Sequence, residues 1–279
     1  MSVPPEAGVG RAGGSPDGAE DPVTVVIGGT SGLGLATSVA LAEEGRRTIA
    51  AARGSARLQQ VRTLAAAKSL PLTVHPVDVT SAQSVRELFA HAESQGPVAA
   101  CVNAAGQNLS RLLLSRRDQN GEWRLHPEEE WRATIELCLT GTFLVGRQVA
   151  ELMARQGAGG VLVNIASSTW SGSWGQSAYA AAKAGVVSLT RSWALELADH
   201  GIRVVCVAPG VVDGTALRDK CAANPGHARF MDRLRERVPL RRFAAESEVA
   251  ASILHAIDNE YLTGNVMEVH GGGFPSRIV

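Results

Sequence analysis

Val23-Thr24-Val25-Val26-Ile27-Gly28-Gly29-Thr30-Ser31-Gly32-Leu33-Gly34 is the stretch on which the reading of this chain turns. Five β-favouring residues run without polar alternation, which predicts a strand buried on both faces. Four glycines fill the next seven positions, and a helical pattern follows. Strand, glycine-rich turn and helix in that order make a cradle for a pyrophosphate. Glycine lets the main chain approach the charged group, and the first turn of the helix points free N–H groups at it. A glycine-rich stretch alone is weak evidence. The strand before it and the helix after it favour dinucleotide binding over a plain turn.

The same alternation continues outward. Helical periodicity covers 33–45 (closed by Gly45), 56–68, 81–95 (with Ser81 as cap) and 127–156 (opened by Pro127). It returns at 177–199, stopped by Gly201, and at 246–258. Strand-like runs lie at 48–52, 72–77, 98–103, 160–165, 202–207 and 265–269. A repeating βα order predicts an α/β fold: one doubly wound parallel sheet of about seven strands, with helices on both faces. Two stretches break the rhythm. Residues 107–126 are polar with an Asn120-Gly121 turn, and 209–245 read as loop with one or two short helices. Both follow strands, so both are placed to line a substrate site at the carboxyl edge of the sheet.

The chain has 279 residues, enough for one such domain, expected at 22–279. Residues 1–21 are Gly, Pro, Ala, Ser and acid, a composition that predicts a disordered tail. Hydrophobic residues make up 45% and aromatics 4%, which suits a core of Val, Ala, Leu and Ile. Basic and acidic residues both number 27, so nothing favours nucleic acid as partner. Cys101, Cys138, Cys206 and Cys221 form no CxxC pair, and the histidines have no metal-ligand spacing. No metal is expected. The same features predict a cytoplasmic protein without disulfides, membrane span or signal peptide.

Further motifs turn the pattern into a resemblance. Gly28-x3-Gly32-x-Gly34 resembles the TGxxxGxG signature of the classical short-chain dehydrogenase/reductase family, with Ile27 in place of the leading Thr. Asp78-Val79 resembles the family's adenine contact, and Asn103-Ala104-Ala105-Gly106 its NNAG motif. Tyr179-x3-Lys183, Pro209-Gly210 and His270-Gly271-Gly272 (usually DGG) complete a set spanning about residues 22–273. The resemblance implies a Rossmann-type fold and a nicotinamide cofactor. It places Gly28, Thr30, Ser31, Gly32, Leu33, Gly34, Asp78, Val79, Asn103, Ala104, Ala105, Gly106, Pro209, Gly210 and Val212 against that cofactor. The nicotinamide-contacting Thr of the family falls at Gly214 here, so Thr215 takes the role through a one-residue bulge. Ala52 stands where NAD-using members carry an Asp, and Arg53 follows, with Arg57 a turn on. A guanidinium grips a phosphate with two parallel bonds, so NADP(H) is expected over NAD(H). No basic residue accompanies Ser31 in the glycine loop itself.

Tyr179 and Lys183 lie four apart on a predicted helix and share a face. An ammonium beside a phenol lowers its pKa from about 10 and fits it for proton transfer. Ser167 ends a strand 12 residues upstream of Tyr179. By the resemblance, Ser167 holds the substrate oxygen, Tyr179 moves the proton, and Lys183 also grips the nicotinamide ribose. Ser168 is the reserve for the first role. Cys138 occupies the slot where the family carries an Asn that holds a proton-relay water; a thiol is a weak partner for such a water. Trp170 and Trp174 lie in the loop that roofs the substrate, where they either bind it or pack the loop. The 107–126 insertion and the Gly32–Thr37 run resemble the branch holding 3-hydroxyacyl-CoA dehydrogenase type 2. There Arg111, Arg116 and Arg117 would meet CoA phosphates, with a solvated face as the default.

The expected activity is NADP(H)-dependent interconversion of a ketone and a secondary alcohol on a fairly apolar small molecule, 3-oxoacyl, polyketide or steroid-like. NAD-linked hydroxyacyl-CoA oxidation, enoyl reduction and a non-enzymatic dinucleotide sensor are the rivals. The helices at 127–156 and 177–199 carry more apolar surface than their own sheet needs, and in the family they pair. A homo-oligomer, dimer or tetramer, is expected.

Overall fold

Valine-rich strands form the middle of the molecule, the inner ones buried on both faces. The computed structural model describes residues 21–116 and 121–273. The tail expected at 1–21, apart from Asp21, lies outside them, as do Arg117 and Asn120. The first half runs β1 (Val23–Ile27), α1 (Gly32–Glu43), β2 (Arg47–Ala52), α2 (Ser55–Ala67), β3 (Leu72–Pro76), α3 (Ala82–Glu93) and β4 (Val98–Asn103). A short ribbon, β5 (Leu114–Ser115) against β6 (Arg124–Leu125), precedes α4 (Glu128–Ile135) and α5 (Gly141–Gln156). The chain continues with β7 (Gly160–Ile165), α6 (Ser177–Glu196), β8 (Ile202–Pro209), α7 (Thr215–Ala223), α8 (Pro225–Arg237), α9 (Glu246–Asp258) and β9 (Val266–Val269).

All strands except the ribbon join one seven-stranded parallel sheet in the order β3-β2-β1-β4-β7-β8-β9. The doubly wound α/β fold expected from the sequence is borne out. Side chains alternate along each strand between two helical layers. Val23, Val25 and Ile27 face α3, α5 and α6 together with Leu88, Val149 and Trp193, whereas Val26 faces α1 and α9 with Leu41 and Ile253. Burying each such side chain contributes about 1.5–3 kcal/mol, so both layers are held by many modest terms.

Several boundaries depart from expectation. The helix expected unbroken over 127–156 contains a π-helical turn at Glu136–Thr140. Such a turn holds an extra residue, and its wider backbone is partly secured where Thr142 Oγ1 donates to the Cys138 carbonyl at 2.9 Å. The helix expected over 177–199 ends at Glu196; a 3₁₀ turn, Ala198–His200, leads to Gly201, whose φ of +67° reverses the chain. The stretch 209–245, expected as loop with one or two short helices, does hold two, α7 and α8. The side chain of Asn224 accepts from His227 N at 3.1 Å and caps the second of them. No helix among the described residues is long and apolar enough to cross a membrane.

Candidate active site

The carboxyl ends of β1, β4, β7 and β8 bring most of the expected residues to one edge. Gly28 turns with φ +75°, and a Cβ there would stand 2.9 Å from the carbonyl of Ala104. A Cβ on Gly34 would collide with the Gly28 carbonyl oxygen. The helix thus sits directly on the loop, which larger residues would prevent. Thr30 is buried, and Ser31 is exposed. Ser31 is the N-cap of α1 but makes no side-chain bond to its first turn. The amides of Gly32, Leu33 and Gly34 are therefore left to a ligand. A pyrophosphate fits this cradle. Ala104 N donates to the Ile27 carbonyl at 2.9 Å, and the buried Asn103 side chain accepts from Ala105 N at 3.4 Å. These bonds tie 103–106 to the loop.

Beyond β2, Arg53 is exposed, and Arg57 Nη1 donates to Ser31 Oγ at 3.3 Å. The glycine loop itself has no basic residue, as the sequence shows, but one turn of α2 returns Arg57 to it. Asp78 accepts from Thr80 N at 3.0 Å and Thr80 Oγ1 at 2.8 Å. These bonds hold its carboxyl below the usual range, and the charge of Arg53 adds in the same direction. Val79 is buried against Gly141.

Ser167 follows β7, where its Oγ accepts from Thr169 N at 3.3 Å and from Thr169 Oγ1 at 3.1 Å. Tyr179, in the first turn of α6, lines the same cleft as Ser167, whose hydroxyl eases ionisation of its phenol; Ser168 lines the cleft too. Lys183 is buried one turn on. Its Nζ donates to the Ile165 carbonyl at 2.6 Å and stands 5.6 Å from the centre of the Tyr179 ring. Burial pulls the Lys183 ammonium down, with the sulfurs of Cys138 and Cys206 opposing. Burial pushes the Tyr179 phenol up, Cys138 adds to this, and the Ser167 bond opposes it. The expected lowering of the phenol is therefore corrected: its surroundings keep it protonated, and the ammonium is engaged by a carbonyl.

The π-helical turn carries Cys138 into this group. Its fully buried thiol donates weakly to the Gln107 carbonyl, with Sγ and oxygen 3.7 Å apart. A Cβ on Gly106 would lie 3.5 Å from both Cys138 Sγ and Lys183 Nζ. Pro209 ends β8, and Gly210 N donates to the Val269 carbonyl at 2.9 Å. Val212 bridges to Ala244, while Thr215 is exposed at the start of α7.

A cleft of about 430 Å³ opens over Ser167, Tyr179, Gly210 and Val212. Trp174 lines it, whereas Trp170 turns aside and donates from Nε1 to Glu268 Oε1 at 3.0 Å. A shallower depression of about 580 Å³ beside Trp131 and Glu136 contains none of these groups. Arg111 is paired with Glu130 at 2.7 Å instead of being free for a ligand. Residues 209–245 line the cleft as expected, but sequence reasoning did not single out the residues of this wall, Lys220, His227, Phe230, Met231 and Arg237 of α7 and α8. The Asn224-Pro225 start and the apolar spacing of Phe230, Met231 and Leu234 were the available signal. His227, one of the histidines without metal-ligand spacing, lines the cleft. Among the described residues no cluster could hold a metal ion.

A model of the short chain dehydrogenase family matches residues 22–226. The chain is 35% identical over 259 residues to a 3-oxoacyl-(acyl-carrier-protein) reductase of Thermotoga maritima, covering 91% of this chain and 98% of that one. It is 33% identical to a (3R)-3-hydroxyacyl-CoA dehydrogenase of Homo sapiens, covering 90% and 95%. Among solved structures it resembles an actinorhodin polyketide ketoreductase variant with NADPH, at a TM-score of 0.79 and 32% identity, covering 90% and 97%.

Proposed function

Since the chain belongs to the short-chain dehydrogenase family, whose oxidoreductases act on CH–OH and C=O groups, we propose that it is an NADP(H)-dependent ketoreductase. The observation that carries this reading is the meeting of Ser167 and Tyr179 in one cleft, with buried Lys183 one helical turn beyond Tyr179 and an uncapped glycine cradle at the same sheet edge. The amides of Gly32, Leu33 and Gly34 receive the pyrophosphate. Asp78 and Val79 meet the adenine, and Asn103–Gly106, Pro209, Gly210, Val212 and Thr215 border the nicotinamide half. Arg53 and Arg57 take the 2′-phosphate, which supports NADP(H) over NAD(H).

Bound there, the nicotinamide supplies the hydride. Ser167 Oγ holds the carbonyl oxygen, on which negative charge grows. Tyr179, protonated at neutral pH, gives its proton to that oxygen. Lys183 stands behind the phenol and stabilises it once the proton has left. The four free cysteines suit a reducing, cytoplasmic setting. Phe143 on α5 and Leu195 on α6 are 43% and 83% exposed, which supports a homo-oligomer joined through these helices. The test is optical: NADPH oxidation against a panel of 3-oxoacyl thioesters, steroids, quinones and polyketide-like ketones. NADPH binding without turnover of any ketone would leave a dinucleotide sensor in its place.

A further inference from the structure

One carboxylate stands beside the glycine cradle without a partner of its own. Glu246 opens α9 and is half-buried. A Cβ on Gly32, the first residue of α1, would lie 3.7 Å from Glu246 Oε1, and a Cβ on Gly214 would collide with the same oxygen. The space that a side chain at 214 would fill is thus taken by this carboxylate, at the starts of both α1 and α7. Charged groups around it are committed elsewhere. Arg218 faces Asp213 at 3.6 Å, and Arg242 grips Glu248 through bonds of 2.6 and 2.7 Å. Arg57 reaches the loop at Ser31. Among the described residues no hydrogen bond or ion pair engages the Glu246 side chain. Its backbone is well anchored. Glu248 accepts from Ala245 N at 2.8 Å, and Val249 and Ile253 are fully buried in the layer that holds Leu41 of α1.

A carboxylate and a pyrophosphate compete for the same surroundings. The positive end of a helix favours one anion, and at α1 the chain supplies its own before the ligand arrives. Resting on the cofactor placement proposed above, we propose that Glu246 belongs to the cofactor site and lowers its affinity for the dinucleotide. Gly32 borders the pyrophosphate and Gly214 adjoins the nicotinamide half, so the carboxylate stands where those parts of the cofactor join. With α9 fixed, it relieves the repulsion by turning its side chain outward. The dinucleotide is then held less tightly than the cradle alone would hold it, and the spent cofactor leaves sooner. Repulsion at a half-buried site is screened by ions, so the effect is salt-sensitive.

The experiment measures the Kd of NADPH by cofactor fluorescence for the unaltered protein and for Glu246→Gln, which keeps the shape and removes the charge. Binding about threefold to tenfold tighter in the variant is expected at low salt, mostly as slower release, with the gain shrinking at high salt. Glu246→Ser should act alike, so a folding fault in one variant does not decide the matter. Fragments locate the effect by calorimetry. ADP-ribose 2′-phosphate, which keeps the pyrophosphate, should show the same gain, and adenosine 2′-monophosphate, which lacks it, should show none. A role confined to the start of α9 would shift the melting temperature and leave these constants alone. Unchanged or weaker NADPH binding by both variants, or an equal gain with the adenosine fragment, would overturn the proposal while leaving ketone reduction intact. If neither the unaltered protein nor the variants bind a dinucleotide, the cofactor reading fails and takes this proposal with it.

Discussion

Replacing Cys138 by Asn tests how protons reach the catalytic group. The thiol is fully buried, and its only hydrogen bond among the described residues is the long one to the Gln107 carbonyl, 3.7 Å. Lys183 Nζ, bonded to the Ile165 carbonyl, would lie 3.5 Å from the same Cβ on Gly106 that Cys138 Sγ approaches. An amide in this position has an acceptor for its N–H in Gln107 and a donor for its oxygen in Lys183. With both polar atoms matched, the stability cost stays under about 1 kcal/mol, because unsatisfied burial is what makes a polar group expensive. For a chain of this size that means a fall in Tm of less than about 4 °C. Turnover should rise or hold, since an amide orders water better than a thiol does. Cys138 also pushes the Tyr179 phenol up, so its loss should move the alkaline limb of reduction, where the phenol ionises, to lower pH. Differential scanning fluorimetry and pH–rate profiles on one preparation read all three. If the amide cannot reach its partners, it costs about 1–3 kcal/mol, or roughly 2–12 °C. A fall of that order with no gain in kcat would refute the reasoning and make Cys138 a packing residue.

Tyr179→Phe removes only the phenolic oxygen and should lower kcat at least about a hundredfold with NADPH affinity nearly unchanged; near-normal turnover would sink the proton-donor role. Arg53→Ala and Arg57→Ala should each weaken NADPH about tenfold to a hundredfold and NADH much less, as fluorescence titration would register. Equal losses, or tighter NADH binding by the unaltered protein, would argue against a 2′-phosphate site at the end of β2. Light scattering at micromolar concentration should give a multiple of the 29.2 kDa chain, and a monomer would exclude pairing through α5 and α6.

Periodic features were the legible ones. The unbroken apolar run of β1 and the glycine spacing after it led directly to the parallel sheet, because burial on both faces and close backbone approach leave marks at single positions. Tyr179 and Lys183 were legible for the same reason, since four residues is one helical turn. Protonation was not. Whether Lys183 lowers the phenol depends on where its ammonium points, and the Ile165 carbonyl that holds it is 18 residues away in sequence. The π-helical turn was equally hidden, since Glu136–Thr140 carries no proline or glycine to mark a change of winding. Arg57 was noticed as a cation near the phosphate end but not as a partner of Ser31, because the turn between β2 and α2 sets that distance. The wall of α7 and α8 was legible only as loop with one or two short helices beside the substrate: in α8 the charges outnumber the apolar residues, and its apolar stripe is short.

That wall is also lightly anchored. Among the described side chains of α7 and α8 only Met231 is buried, whereas the helices flanking the sheet bury several each. Substitutions at exposed positions usually change stability by no more than about 0.5 kcal/mol. The residues that line this side of the cleft are therefore largely separate from those that hold the molecule together. A descendant of this chain could exchange Lys220, His227 or Phe230 for other groups and acquire a new diet while β1 through β9 stayed as they are. Selectivity here is a replaceable facing, and the sheet beneath it is the part that history has least freedom to alter.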